Sequence, residues 1–135
     1  FVRPAPPLTL PRVRPLKPAA PVVPLDDAAS ALAKIVALAD AGRSAEALRE
    51  CERYLLEFGP SADTYYWMGL LNDMAGQGDA AQGYYRKALY LEPEHVESLV
   101  HLAALLAARG DHEGAKRLQQ RASRASLAGV KRHER

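Results

Sequence analysis

With 135 residues, 48% of them hydrophobic and 25% charged, the chain has the size and composition of a single soluble globular domain. No run free of charge and proline reaches the roughly 20 apolar residues of a membrane-spanning helix, so membrane insertion is not expected. The single cysteine, Cys51, leaves no internal disulfide to form and fits a reducing, cytoplasmic compartment.

The net charge of +2 is unevenly spread. Residues 1–25 carry Arg3, Arg12, Arg14 and Lys17 and no acid, whereas acids outnumber bases between Asp26 and Ser126. Eight of the ten prolines lie in residues 1–24, where missing amide hydrogens and fixed φ angles forbid helix and central strand. An extended basic linker over 1–25 is expected, reaching about 75 Å at roughly 3 Å per residue. Spacings such as Pro4–Pro7 and Pro15–Pro18 match a PxxP pattern, which a proline-dense spacer produces by chance. A basic arm could meet nucleic acid or an acidic lipid surface, but four charges are sparse, and neither partner is expected. A start at Phe1 without a signal-peptide pattern suggests a piece of a longer protein.

After Pro24 alanine, leucine and glutamate dominate, and six helices are predicted at about 26–40, 44–57, 61–75, 79–91, 94–108 and 112–127. The breaks are Gly42-Arg43, Gly59-Pro60, Gly76-Gln77-Gly78, Glu92-Pro93 and Gly110-Asp111. Asp26 or Asp27, Ser44 and Asp79 stand where helix caps belong, and Asp79 with Gln82 forms a candidate capping box. Pro60 and Pro93 sit just before helices, where proline is tolerated. No segment alternates with a period of two, so no sheet is expected. Residues 128–135 read as a basic C-terminal tail.

Internal periodicity decides the architecture. A shift of 34 residues lays Gly42 on Gly76 and Gly110, Ala47 on Ala81 and Ala115, Met68-Gly69 on Leu102-Ala103, Leu55 on Leu89, and Ala88 on Ala122. Small residues recur where helices must cross closely, and the glycines stop the first helix of each pair. This period and these columns resemble the tetratricopeptide repeat. Tyr65, Met68-Gly69, Ala81, Tyr85, Ala88 and Pro93 fall on that family's signature positions, although Asn72 replaces one aromatic. The resemblance covers residues 26–127 and implies an all-α solenoid of three helix–turn–helix repeats, six or seven helices in all, preceded by the proline-rich segment. The end copies are degenerate: Lys34 stands where a large apolar residue belongs, Gln119 replaces an aromatic, and Lys116, Arg117, Gln120, Arg121 and Arg124 give the last helix a polar outer face.

The run Tyr84-Tyr85-Arg86-Lys87-Ala88-Leu89-Tyr90-Leu91-Glu92-Pro93-Glu94-His95, followed by Leu99 and His101-Leu102-Ala103, is similar to repeats appended to CheR-type chemoreceptor methyltransferases. Those proteins join a catalytic domain to C-terminal repeats through a proline-rich linker. The resemblance implies a catalytic part outside this chain that uses S-adenosylmethionine to methylate receptor glutamates.

Chemistry within the chain itself is not expected. His95, His101, His112 and His133 lack a spacing that gathers metal ligands or a base beside a nucleophile, and Cys51 falls in the Tyr85 column, where a buried inert thiol belongs. Gly76-Gln77-Gly78 is a turn between helices, not a phosphate cradle after a strand. No catalytic residue, metal or cofactor is therefore assigned.

In the tetratricopeptide family the first helix of each pair lines the concave face. The resemblance places Leu32 and Val36 there from the first copy. It adds Asp63, Tyr66, Leu70, Asp73 and Met74 from the second, and Glu97, Val100, Ala104 and Ala108 from the third. The position that holds asparagine in carboxylate-gripping members reads Val36, Leu70 and Ala104, so a carboxylate clamp is not expected. An apolar strip with an acidic edge suits an amphipathic helix or an extended segment bearing Lys or Arg. Candidate occupants are a chemoreceptor's cytoplasmic region, a signalling partner, or the chain's own linker, with the chain a monomer or weak dimer. The alternative is a free-standing scaffold in an unrelated assembly such as pilus or secretion machinery.

Overall fold

The computed structural model describes residues 25–133, so residues 1–24 of the expected linker and the last two residues of the expected tail lie outside it, while Leu25, expected in the linker, begins the first helix. Among the described residues there are six α-helices and no strand: α1 (Leu25–Asp40), α2 (Ser44–Phe58), α3 (Ala62–Met74), α4 (Gly78–Leu91), α5 (Val96–Ala108) and α6 (His112–His133). They pair as antiparallel hairpins α1/α2, α3/α4 and α5/α6. Each first helix also packs on the hairpin before it, α3 on α1 and α2, α5 on α3 and α4. This nearest-neighbour stacking is that of a solenoid of three repeats.

The punctuation follows backbone chemistry. Gly42, Gly76 and Gly110 take φ of +78°, +80° and +94°, a region that costs an L side chain energy and glycine none. Each ends the first helix of its pair. The expected caps at Ser44 and Asp79 do not form: α2 and α4 begin after Arg43 and Gln77, without a side-chain cap. The tight glycine turns bring the chain into helix so early that Ser44 and Asp79 already lie in the first turn. Elsewhere side chains do cap. Ser61 accepts from the Thr64 amide at 3.3 Å, His95 from the Ser98 amide at 3.3 Å, and Asp111 from the Gly114 amide at 2.9 Å. The last helix runs through His133, so residues expected to leave as a tail continue it.

Two apolar clusters form the core. One joins Ile35, Ala47 and Cys51 of the first hairpin to Met68 and Leu71 of α3. The other joins Tyr66, Ala81 and Tyr85 to Leu99, Leu102, Leu105 and Leu118, and Trp67 packs against both. Within the hairpins, residue size is exchanged between columns. A Cβ at Gly69 would lie 2.6 Å from Cδ1 of the fully buried Tyr85 ring, so the large ring requires the empty position. In the first repeat the same columns hold Ile35 and Cys51, large and small reversed, both fully buried. Lys34, odd in the sequence, lies on the outer face of α1, where none of the described helices packs. It is exposed and 3.6 Å from Glu50.

Candidate concave binding face

The first helices present three kinds of residue among the expected site positions. Leu32 and Leu70 are half-buried against the core clusters, and Tyr66 is 9% exposed. Val36 and Asp73 are half-buried, while Asp63, Met74, Glu97, Val100, Ala104 and Ala108 are exposed. Met74 and Val100 are 61% and 48% exposed, high for apolar side chains on a packed repeat.

The polar groups around this face are mostly engaged in holding repeats together. Nε2 of His95 donates to Asp63 at 2.7 Å, and Nδ1 accepts from both the amide and the hydroxyl of Ser98, the latter at 2.8 Å. The amide donor fixes Nδ1 as unprotonated, so a neutral ring with its proton on Nε2 satisfies every partner. This Asp–His–Ser array has the order of a hydrolytic triad, but Ser98 is fully buried at the start of α5 and no substrate can reach its hydroxyl. It is a cap that ties α3 to α5. Tyr66 and His101 meet at 3.2 Å between the hydroxyl and Nε2, and the Tyr85 hydroxyl donates to Asp73 at 3.0 Å. Burial raises the Tyr66 and Tyr85 phenols, Glu97 and Asp73 respectively adding to the shift, so both stay neutral. Arg109 closes the far end of the same interface, reaching Asp79 and, at 3.1 Å, Gln82. The sequence offered Asp79 and Gln82 as a capping box; the guanidinium takes both instead. On the first hairpin, burial pushes the Cys51 thiol up to about 12, helped by Glu52 and Glu50, which removes it as a nucleophile.

The sequence reading named Val100 and Ala104 but missed Val96 and the α6 residues that face them. Val96, Val100 and Ala104 of α5 face Gln119, Ala122 and Leu127 of α6 across an open groove of about 690 Å³ at the C-terminal end of the solenoid. Leu127 is 63% exposed. The signal was present in the repeat register: Gln119 and Ser123 occupy the columns of Tyr85 and Leu89, which share a core cluster with α5, and no seventh helix follows α6 among the described residues. No group of three or more His, Cys, Asp or Glu residues suited to a metal ion occurs among the described residues. No described helix is long and apolar enough to cross a membrane.

Paired helices in 34-residue register, glycine-stopped and stacked hairpin on hairpin, define a helical repeat domain of the tetratricopeptide kind. Among characterised proteins the chain is similar to the probable biofilm formation methyltransferase WspC of Pseudomonas aeruginosa, with 57% identity over 126 residues. The match covers 91% of this chain and 30% of that protein. The Pseudomonas putida protein of the same name is 59% identical over 100 residues, 74% of this chain and 24% of its own length. The chain thus spans less than a third of these relatives. No protein-family model matches it. Solved structures share the fold at low identity. PcrH in complex with the chaperone binding region of PopB superposes with a TM-score of 0.70 at 17% identity, covering 78% of this chain and 86% of that one. MamA does so with 0.69 at 20%, covering 77% and 61%. Yersinia enterocolitica SycD with a peptide of the translocator YopD gives 0.67 at 15%, covering 74% and 76%.

Proposed function

We propose that this chain is the docking module of a chemoreceptor methyltransferase, holding a segment of a receptor or signalling partner on its concave face. The observation that carries the reading is the exposed apolar row Met74, Val100, Ala104 and Ala108 on first-helix positions that the chain leaves uncovered among its described residues, edged by the acids Asp63 and Glu97. Exposed apolar side chains in register on a rigid scaffold suit recognition, not catalysis. The high identity to part of WspC supports a catalytic part elsewhere in the parent protein. That part would use S-adenosylmethionine to methylate receptor glutamates in the cytoplasm. Two of the fold relatives were solved with a segment of a partner protein, PopB and YopD, which supports a peptide or helix as the ligand class here.

The test is a titration of the full chain with a chemoreceptor's cytoplasmic helical region, followed by Trp67 fluorescence; Trp67 packs edge-on against Tyr66, 5.4 Å between centroids. Saturable binding is expected, and Met74→Glu abolishes it without unfolding the domain. Absence of saturation up to about 100 μM, an affinity weaker than about −5.5 kcal/mol, refutes receptor docking.

A further inference from the structure

The solenoid contains three equivalent seats for a first helix, and the described residues fill two, with α3 and α5. The hairpin α1/α2 receives α3 through Met68 and Leu71, and α3/α4 receives α5 through Leu102 and Leu105 in the same columns. The seat on α5/α6 is the open groove of about 690 Å³ floored by Val100, Ala104 and Ala122. We infer that this third seat binds an amphipathic α-helix of a partner protein, stacked as a fourth first helix. The inference deepens the docking function by stating the ligand's chemistry.

The filled seats specify the occupant. At the seat of α5, Asp63 accepts from His95 at the helix start, Leu102 and Leu105 enter the apolar floor, and Arg109 reaches Asp79 at the helix end. In the third seat Glu97 stands in the Asp63 column and Glu113 in the Asp79 column, and both are exposed. A matching helix therefore carries a hydrogen-bond donor at its start, two large apolar residues in the Leu102/Leu105 spacing, and a cation in the Arg109 position. Lys116 replaces Gln82 and offers no acceptor, so Glu113 alone receives that cation. Two nearer occupants fit poorly. The first helix of a second copy would present Ala33, Lys34 and Ala37, a cation and two methyl groups in the columns of Trp67, Met68 and Leu71, and this opposes head-to-tail growth of the stack. The proline-rich residues 1–24 cannot supply a helix.

The probe is a labelled synthetic peptide of residues 95–111, with the exposed positions Val100, Ala104 and Ala108 changed to glutamine, titrated by fluorescence anisotropy into the full chain. Saturable binding is expected, weakened more than tenfold by Leu127→Glu. Glu113→Lys weakens it about threefold, the size of an exposed ion pair, and a peptide with Arg109→Glu restores it on that variant. Both protein positions are exposed, so circular dichroism should stay unchanged. Four results overturn the inference: no saturation, binding indifferent to Leu127→Glu, equal competition by a peptide of residues 1–24, or a dimer of the chain that Leu127→Glu dissolves. If the receptor region binds, is lost with Met74→Glu and survives Leu127→Glu, the seat falls and the docking function stands. If the helix peptide binds and the receptor region does not, receptor docking falls and the seat stands.

Discussion

Gly69→Ala tests whether close helix approach or intrinsic helix preference controls the middle repeat. The added Cβ would sit 2.6 and 2.7 Å from Cδ1 and Cε1 of Tyr85, about 1 Å inside comfortable contact between carbon atoms. The ring cannot retreat easily: it is fully buried and its hydroxyl is tied to Asp73. Overpacking of this kind costs about 1–3 kcal/mol, and a direct clash with ring carbons belongs at the upper end. Replacing a mid-helix glycine by alanine returns about 1 kcal/mol of helix propensity. The net expectation is a loss of about 2 kcal/mol in urea unfolding followed by circular dichroism. In a Tyr85→Leu background the clash is gone, and Gly69→Ala should be neutral or stabilising by up to about 1 kcal/mol. Stabilisation in the native background, or an equal loss in both backgrounds, would refute the packing explanation.

Three further outcomes follow from the site geometry. His95→Ala removes a helix cap and the hydrogen bond to Asp63, about 1 kcal/mol each, and His95→Asn, which can still cap, recovers about half; equal losses in urea melts would contradict this. Arg109→Ala lowers stability by about 0.5 kcal/mol at low salt and by much less in 1 M salt, because its ion pair with Asp79 is exposed; a salt-independent loss would point to packing instead. Burial raises Cys51 from 9.0 to about 12, and Tyr66 and Tyr85 rise from 10.0 as well, so the fold favours their neutral forms. That stabilisation is complete below about pH 9 and is lost as pH climbs towards 12, so the urea midpoint should fall progressively between about pH 9 and 12. A flat or rising midpoint, or rapid labelling of Cys51 by a thiol reagent in the native state, would contradict the assignment.

The repeat was legible because its columns are set by features that every copy shares: a glycine with positive φ after each first helix and an alanine in the column of Ala47, Ala81 and Ala115. Where one copy solved the same packing differently, the pattern broke. Ile35 opposite Cys51 is the inverse of Gly69 opposite Tyr85, and column matching alone cannot see that the two pairs fill similar space. Lys34 read as a defect because its column is apolar elsewhere, yet it is exposed beside Glu50 on a face that no described helix covers. The caps were misplaced at Ser44 and Asp79 because cap chemistry is local, while the helix start was set by the preceding glycine turn. The ties Asp63–His95 and Asp79–Arg109 join residues far apart in sequence, and nothing in local spacing announces them. The concave positions came from register, so the sequence could rank them by column but not by exposure. It could not separate exposed Met74 from Tyr66, whose ring serves the core.

The central claim is that recognition lies on the first-helix face, and one paired comparison tests it most directly. Met74 on α3 and Leu56 on α2 are both exposed, at 61% and 89%, but Leu56 belongs to a second helix, outside the concave row. Calorimetric titration of the full chain with a receptor's cytoplasmic region should show binding abolished by Met74→Glu and unchanged by Leu56→Glu. Binding that survives Met74→Glu and fails with Leu56→Glu would move the recognition surface to the other side of the solenoid and contradict the account.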